Sequence, residues 1–142
     1  MSALLITKGL DFGLGIRGAT SVGKFISKDN IFVGPAIDEV AAWYEISNWI
    51  GVIQTPSAKN IFLRDTFSNL LVEYNAPIKG LGTYKTYCPN WPTAWKNSQK
   101  KTDTQLHEIF KKMNPMYPEV AIKLQNTIDF YDFSKDLKVS FK

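Results

Sequence analysis

Apolar residues in this chain come in short bursts, and glycine or proline interrupts most of them. The longest unbroken apolar runs are Ala3 to Ile6 and Val40 to Tyr44. A helix that crosses a bilayer needs roughly 20 such residues, so no segment reads as a membrane span. The nine glycines and seven prolines mark element ends, and the pieces between them alternate between the strand and the helix period. No repeat or low-complexity tract appears. The 142 residues therefore read as one domain, 1–142, of mixed strands and helices.

Composition excludes several classes. With 44% hydrophobic and 21% charged residues the chain is too apolar for a disordered tail. A domain of this size can bury roughly 70% of its unfolded surface. No basic stretch followed by an apolar run opens the sequence, so no secretory signal is expected. Cys88 is the one cysteine and His107 the one histidine, which excludes an internal disulfide and a multi-histidine metal site. A reducing cytoplasm is the expected setting. The net charge of +4 rests almost wholly on lysine, since only Arg17 and Arg64 are arginine. Phosphate-reading surfaces favour the arginine fork, and a lysine-rich surface reads first as a solubility device.

The element pattern follows from local signals. Residues 2–10 read as a helix, with Gly9 in the left-handed position after it. Gly13 to Ser27 reads as a strand or hairpin with Ile16, Gly18, Thr20 and Val22 on one face. Lys28-Asp29-Asn30 is a turn, and Ile31 to Val33 a short strand. Gly34-Pro35 opens a helix whose buried face is expected at Ile37, Val40, Ala41 and Tyr44. Trp49 to Gln54 reads as a strand. Thr55-Pro56 starts a helix expected to run to about Tyr74, with Leu63, Phe67, Leu70 and Tyr74 inward, until Asn75-Ala76-Pro77 breaks it. Thr83 to Cys88 is a strand with Tyr84 and Tyr87 on opposite faces, ended by Pro89-Asn90-Trp91-Pro92. A polar stretch from Lys96 to Lys101 leads to Thr102, the N-cap of a helix ending near Met113. A last helix is expected over Pro118 to Lys135, with Val120, Leu124, Ile128 and Tyr131 on one side.

Chemical motifs are sparse. Gly18 to Phe25 nearly matches the phosphate-loop pattern G-x-x-x-x-G-K-[ST]. Phe25, however, lacks the hydroxyl that would hold magnesium, and the following residues read as strand and turn, not helix. Asp11-Phe12-Gly13 mimics a kinase metal-binding tripeptide with no other part of that set present, and reads as a helix-to-strand turn. Lys96, Lys100, Lys101, Lys111 and Lys112 accompany Trp91, Trp95, Tyr84 and Tyr87. Such a mixture can stack single strands, but the aromatics read better as core and the lysines as a solvated face, so nucleic acid is disfavoured. Cys88 and His107 lack an identifiable third group to orient a nucleophile pair.

Three segments taken together resemble a known family. Ile16-Arg17-Gly18-Ala19-Thr20-Ser21-Val22-Gly23, Val33 to Ala41 and Trp49-Ile50-Gly51-Val52 are similar to the later half of a class III nucleotide cyclase catalytic domain. The likeness is to the divergent bacterial branch and extends over about residues 3 to 135. It implies an α+β fold, a small mixed or antiparallel sheet with a β-hairpin and helices packed on it. In that family the metal-holding aspartates lie on strands before the helix with which this chain begins, so the resemblance gives no position here that role. The base-reading aspartate falls on Ile31, the transition-state asparagine on Asp38 and the arginine on Ala42.

The resemblance thus implies a half domain without autonomous catalysis. Residues 13–54 are expected to present an open strand edge and an apolar helix face, which recruit a partner. The expected role is an oligomerising or partner-binding module: a homo-oligomer, or a complex with a separate chain completing the sheet. The alternatives are a cyclase subunit active only when a partner brings the metal site, and a nucleotide or single-strand binding module. Arg17, Lys24, Asn30 and Asp38 are the candidates for contact with a nucleoside triphosphate. No cofactor, metal or membrane partner is expected.

Overall fold

The computed structural model describes residues 1–62, 70–99, 102–113 and 115–137. It is an α+β fold in which helices surround small two-stranded sheets. Helix α1, Ser2–Asp11, is longer than its glycine suggests. Gly9 stays helical, and a Cβ there would meet the Ile16 side chain at 2.6 Å, so the close approach of Ile16 requires glycine. Gly13 takes the left-handed turn instead, at φ +71. The amides of Phe12 and Gly13 close the helix on the carbonyls of Gly9 and Leu10, the partners that a helix end must find.

Strand β1, Gly18–Thr20, and strand β4, Val52–Gln54, pair in parallel with Gly18 opposite Val52. Between them in sequence lie β2, Ile26–Lys28, and β3, Ile31–Val33, an antiparallel hairpin. Its two-residue turn is Asp29-Asn30, with φ of +50 and +63. Two successive positive φ angles match the twist of a hairpin, and Asp and Asn tolerate them.

Helix α2, Pro35–Ile46, keeps part of the inward face that its spacing predicts. Ile37 and Val40 are half-buried as expected, while Ala41 and Tyr44 are exposed; Ala36 is buried and Glu39, Trp43 and Ile46 are half-buried in addition. The Trp43 ring packs on Tyr84 at 4.6 Å. This contact half-buries the largest side chain of the helix.

Helix α3, Pro56–Phe62, begins where Thr55-Pro56 predicts but does not reach Tyr74. Leu63 and Phe67 lie outside the described residues. Leu70 is an exposed turn residue and Tyr74 is in strand β5, Leu71–Ile78. This strand pairs along its whole length with β6, Gly82–Pro89, from Leu71 opposite Pro89 to Ile78 opposite Gly82. The long-range ladder overrides a local helical spacing. Pro77, expected to break a helix, sits instead near the end of this strand, where a missing donor is tolerated. Its carbonyl still accepts from the Asn48 amide.

The residues after β6 also depart from expectation. Trp91–Gln99 form helix α4, where a strand end and a polar stretch were expected. Asn90 Oδ1 accepts the Thr93 amide at 3.3 Å, and proline at the start of a helix costs no bond. Helix α5, Asp103–Lys111, carries the predicted Thr102 cap, extended to a capping box by Gln105. Helix α6 is Pro118–Ser134. Leu124 and Tyr131 point inward as predicted, Val120 and Ile128 are half-buried, and Thr127 and Phe130 occupy the centre.

The core is aromatic. Trp49 stacks on Tyr74 at 5.6 Å and meets the Phe130 edge at 4.6 Å. Trp91 and Trp95, one turn apart on α4, flank Tyr131 at 6.0 and 6.1 Å. Three elements distant in sequence therefore share one apolar cluster, each large side chain contributing about 1.5–3 kcal/mol on burial. A polar bolt fixes their register. The buried Thr127 hydroxyl donates to the Lys123 carbonyl at 2.6 Å and accepts the Ile50 amide at 2.9 Å.

A polar cluster at the edge of the core joins α5 to the end of α6. Lys135 Nζ contacts Asp103 and Asp132, each at 2.7 Å, and the Tyr131 hydroxyl donates to Asp103 Oδ1 at 2.9 Å. The Lys135 hydrogen bond, then that of Tyr131, holds the Asp103 carboxyl below its ordinary value of 3.8.

Two outcomes follow from these contacts. Thr127→Val leaves the Ile50 amide buried without a partner and should lower unfolding stability by about 1–3 kcal/mol, read from urea midpoints, while Thr127→Ser retains most of it. A carboxyl depressed by folding contributes stability above its unfolded value and loses it as pH falls through the folded value. The acid loss of stability below pH 3.8 should therefore be shallower in Asp103→Asn, measured by denaturation at neutral and acid pH.

Candidate functional site

Among the described residues, the β2–β3 hairpin gathers five exposed large apolar side chains. Ile26 pairs with Val33 and Lys28 with Ile31, so those apolar residues share one face. Phe25 and Phe32 lie on the other, their rings 6.3 Å apart. Ile26 is 73% exposed, Ile31 63%, Val33 61%, Phe25 54% and Phe32 53%. A lone two-stranded hairpin is at best marginal in water, and one apolar on both faces presents surface that a soluble protein ordinarily covers.

The hairpin is rooted firmly although its blades are bare. Ser21 Oγ donates to the Ala36 carbonyl at 2.6 Å, and the Val22 amide donates to Ser57 Oγ at 2.9 Å. The Ser57 amide in turn donates to Glu39 Oε1 at 3.1 Å. Partial burial pushes the Glu39 carboxyl up, but hydrogen bonds from Ser57 and Thr55 outweigh it and hold it below its ordinary value. This clasp ties the loop before the hairpin to α2 and α3. At the other root Gly34 has φ +145, and a Cβ there would meet the Lys24 carbonyl and Phe25 Cα at 2.8 Å. Helix α2 can begin beside the hairpin only because this residue is glycine.

Beside the hairpin, β1 pairs with β4, and among the described residues no strand occupies its other edge. Two-stranded parallel pairing is uncommon as a complete sheet, because parallel strands are usually buried among neighbours. The apolar side of α1 adds to the uncovered surface with Leu4, Leu5 and Phe12 exposed.

The four candidates for nucleotide contact are spread along this region. Arg17 Nη1 donates to the Ser47 carbonyl at 3.1 Å and its guanidinium lies 4.7 Å from the centre of the Tyr44 ring. It thus closes the C-terminal end of α2. Asp38 is exposed in the first turn of the same helix, roughly 13 Å along the axis from Ser47 at 1.5 Å per residue. Lys24 is exposed at the root of the hairpin and Asn30 at its tip. The structure therefore brings Arg17 to Tyr44 and Ser47, and sets Asp38 at the opposite end of α2.

The remaining motifs take structural places. Gly18 to Phe25 runs from β1 through the clasped loop into the hairpin, with no helix behind it. Trp91 and Trp95 are fully buried, so they offer no stacking face. Lys100 and Lys101 lie outside the described residues. Cys88 is buried and burial pushes its thiol up, whereas His107 is exposed, with Nδ1 2.8 Å from the Asp103 carbonyl. Among the described residues no three His, Cys, Asp or Glu side chains gather as a metal-holding group. No helix among them is long and apolar enough to cross a membrane. No family model, curated protein or solved structure matches the chain.

The Glu39–Ser57 clasp was not foreseen from the sequence, because its partners are 18 residues apart and Ser57 reads as an ordinary first-turn residue. The bare hairpin did leave a signal. Phe25-Ile26 and Ile31-Phe32-Val33 are unbroken apolar pairs and triplets, not an alternation, which marks strands meant to be covered on both faces.

Gly34→Ala should strain the junction and lower stability by about 1–3 kcal/mol. Gly80→Ala, at φ +69 with nothing within 4 Å of the added Cβ, should lose less. Urea denaturation of the two variants compares them.

Proposed function

We propose that this chain is an association module, a cyclase-like half domain without autonomous catalysis, whose exposed hairpin is covered by a second copy of itself. The observation that carries this reading is the hairpin with apolar residues on both faces. The open edge of β1 supports it, since an unpaired strand templates pairing with another chain. A second copy is the simplest occupant. Antiparallel strands can pair across a two-fold axis, which makes one apolar patch complementary to itself. Five large apolar side chains per copy, each worth about 1.5–3 kcal/mol when fully buried, are of the scale needed to offset an association cost of about 4–15 kcal/mol.

The cyclase part of the reading rests on the small-residue and glycine pattern of residues 16–23, 33–41 and 49–52 alone. Within that pattern Ile31, Asp38 and Ala42 stand where the family's base-reading, transition-state and arginine side chains would be. We place the module in the cytoplasm on the strength of a single unpaired cysteine.

Sedimentation of the purified chain tests association. The wild type should exceed the 16.1 kDa of one copy, and a double variant with Ile26→Lys and Phe32→Lys should return to it. A wild type that stays at monomer mass at its highest soluble concentration overturns the proposal. Incubation with each nucleoside triphosphate and manganese should give no cyclic product, and enzyme-level turnover would overturn the non-catalytic reading.

A further inference from the structure

A second surface lies away from the hairpin, where the C-terminal end of α2, the turn between β5 and β6 and the first half of α6 meet. A cleft of about 330 Å³ opens there, lined by Asn48, Lys79, Gly80, Glu119, Ile122 and Lys123. That volume falls at the small end of ligand pockets. Two cations line it, and a third, Arg17, is held at the neighbouring end of α2. Lys79 Nζ donates to the Glu45 carbonyl at 2.9 Å, and Arg17 donates to the adjacent Ser47 carbonyl. Both therefore sit on the electronegative end of α2. Lys123 comes from the facing helix and is half-buried.

Each cation keeps donors in reserve. Arg17 has five N–H groups and lysine three, and the carbonyls of Glu45 and Ser47 take one from Lys79 and one from Arg17. Lys123 forms no ion pair among the described residues. Burial, then the positive charges of Arg17 and Lys79, pushes its ammonium below the ordinary value, against the opposing pull of Glu119 and Tyr44. Glu119 is the one carboxylate in the lining, so positive charge dominates. A bound dianion would relieve the mutual repulsion and fill the unused donors, as charge-assisted hydrogen bonds to phosphoryl oxygens are strong. Ile122 and the lysine stems give the remaining wall an apolar character suited to a small organic group.

We propose that this cleft between α2, the β5–β6 turn and α6 binds a small phosphoryl dianion through Lys79 and Lys123, with Arg17 adding positive charge from the end of α2. The site is independent of the hairpin and of self-association. It needs no catalysis, and the ligand is either free phosphate or a small phosphomonoester.

Titration with inorganic phosphate and with glycerol 3-phosphate, followed by the backbone amide resonances of Gly80 and Lys123, tests it. Saturable shifts at these amides are expected, and the tighter of the two probes identifies the source of the phosphoryl group. Lys123→Gln and Lys79→Gln should each weaken binding roughly tenfold, Lys123→Arg should restore it, and Lys24→Gln should leave it unchanged. Far-UV circular dichroism confirms that each variant is folded, and the two lysine variants are independent of each other. Shifts that rise linearly without saturating, or binding weakened equally by Lys24→Gln, overturn the proposal.

Discussion

The packing of Trp49 between Tyr74 and Phe130 holds the rest of the structure together. Its ring joins the segment before β4 to the β5–β6 hairpin and to α6, elements that share no short-range contact in sequence. Shape alone would leave that junction free to slide. The Thr127 hydroxyl removes the freedom by taking the Ile50 amide, so β4 enters at one register. From there Gln54 meets Thr86 of β6 through its carbonyl, and β1 aligns on β4. The position of the outer hairpin is thus fixed from the aromatic centre outwards, through backbone pairing and the Glu39–Ser57 clasp.

Much of this was legible from local chemistry. Pro35 and Pro118 start helices where the fixed φ of proline and its missing donor cost nothing. Thr102 and Gln105 form a cap from two side chains three residues apart. The Asp29-Asn30 turn follows from its two residues. The departures lie where an element depends on distant partners. Tyr74 fits a helical stripe as well as a strand, and only pairing with β6 decides. Trp91-Pro92 reads as a strand end until the Tyr131 ring of α6 supplies a reason to bury both Trp91 and Trp95. The packing of Trp43 on α2 depends on Tyr84, 41 residues after Trp43, which no window of one helix contains.

The candidate site was legible in the same uneven way. An open strand edge and an apolar helix face are expected over residues 13–54; among the described residues one edge of β1 has no strand beside it, and the exposed apolar side chains lie on the β2–β3 hairpin rather than on a helix face. On α2, Trp43 packs against Tyr84. Arg17 was singled out for a nucleotide, and its place is explained by the end of α2. The carbonyls of Glu45 and Ser47 collect Lys79 and Arg17, and that arrangement, invisible in the sequence, gathers the positive charge facing Lys123.

The central claim is that the hairpin is buried by another copy in solution. Amide hydrogen exchange across residues 25–33, followed as a function of protein concentration, tests it most directly. Protection at Ile26, Phe32 and Val33 that rises with concentration, while the amides of the aromatic core stay unchanged, is the predicted result. Exchange at those hairpin amides that is fast and independent of concentration would contradict it.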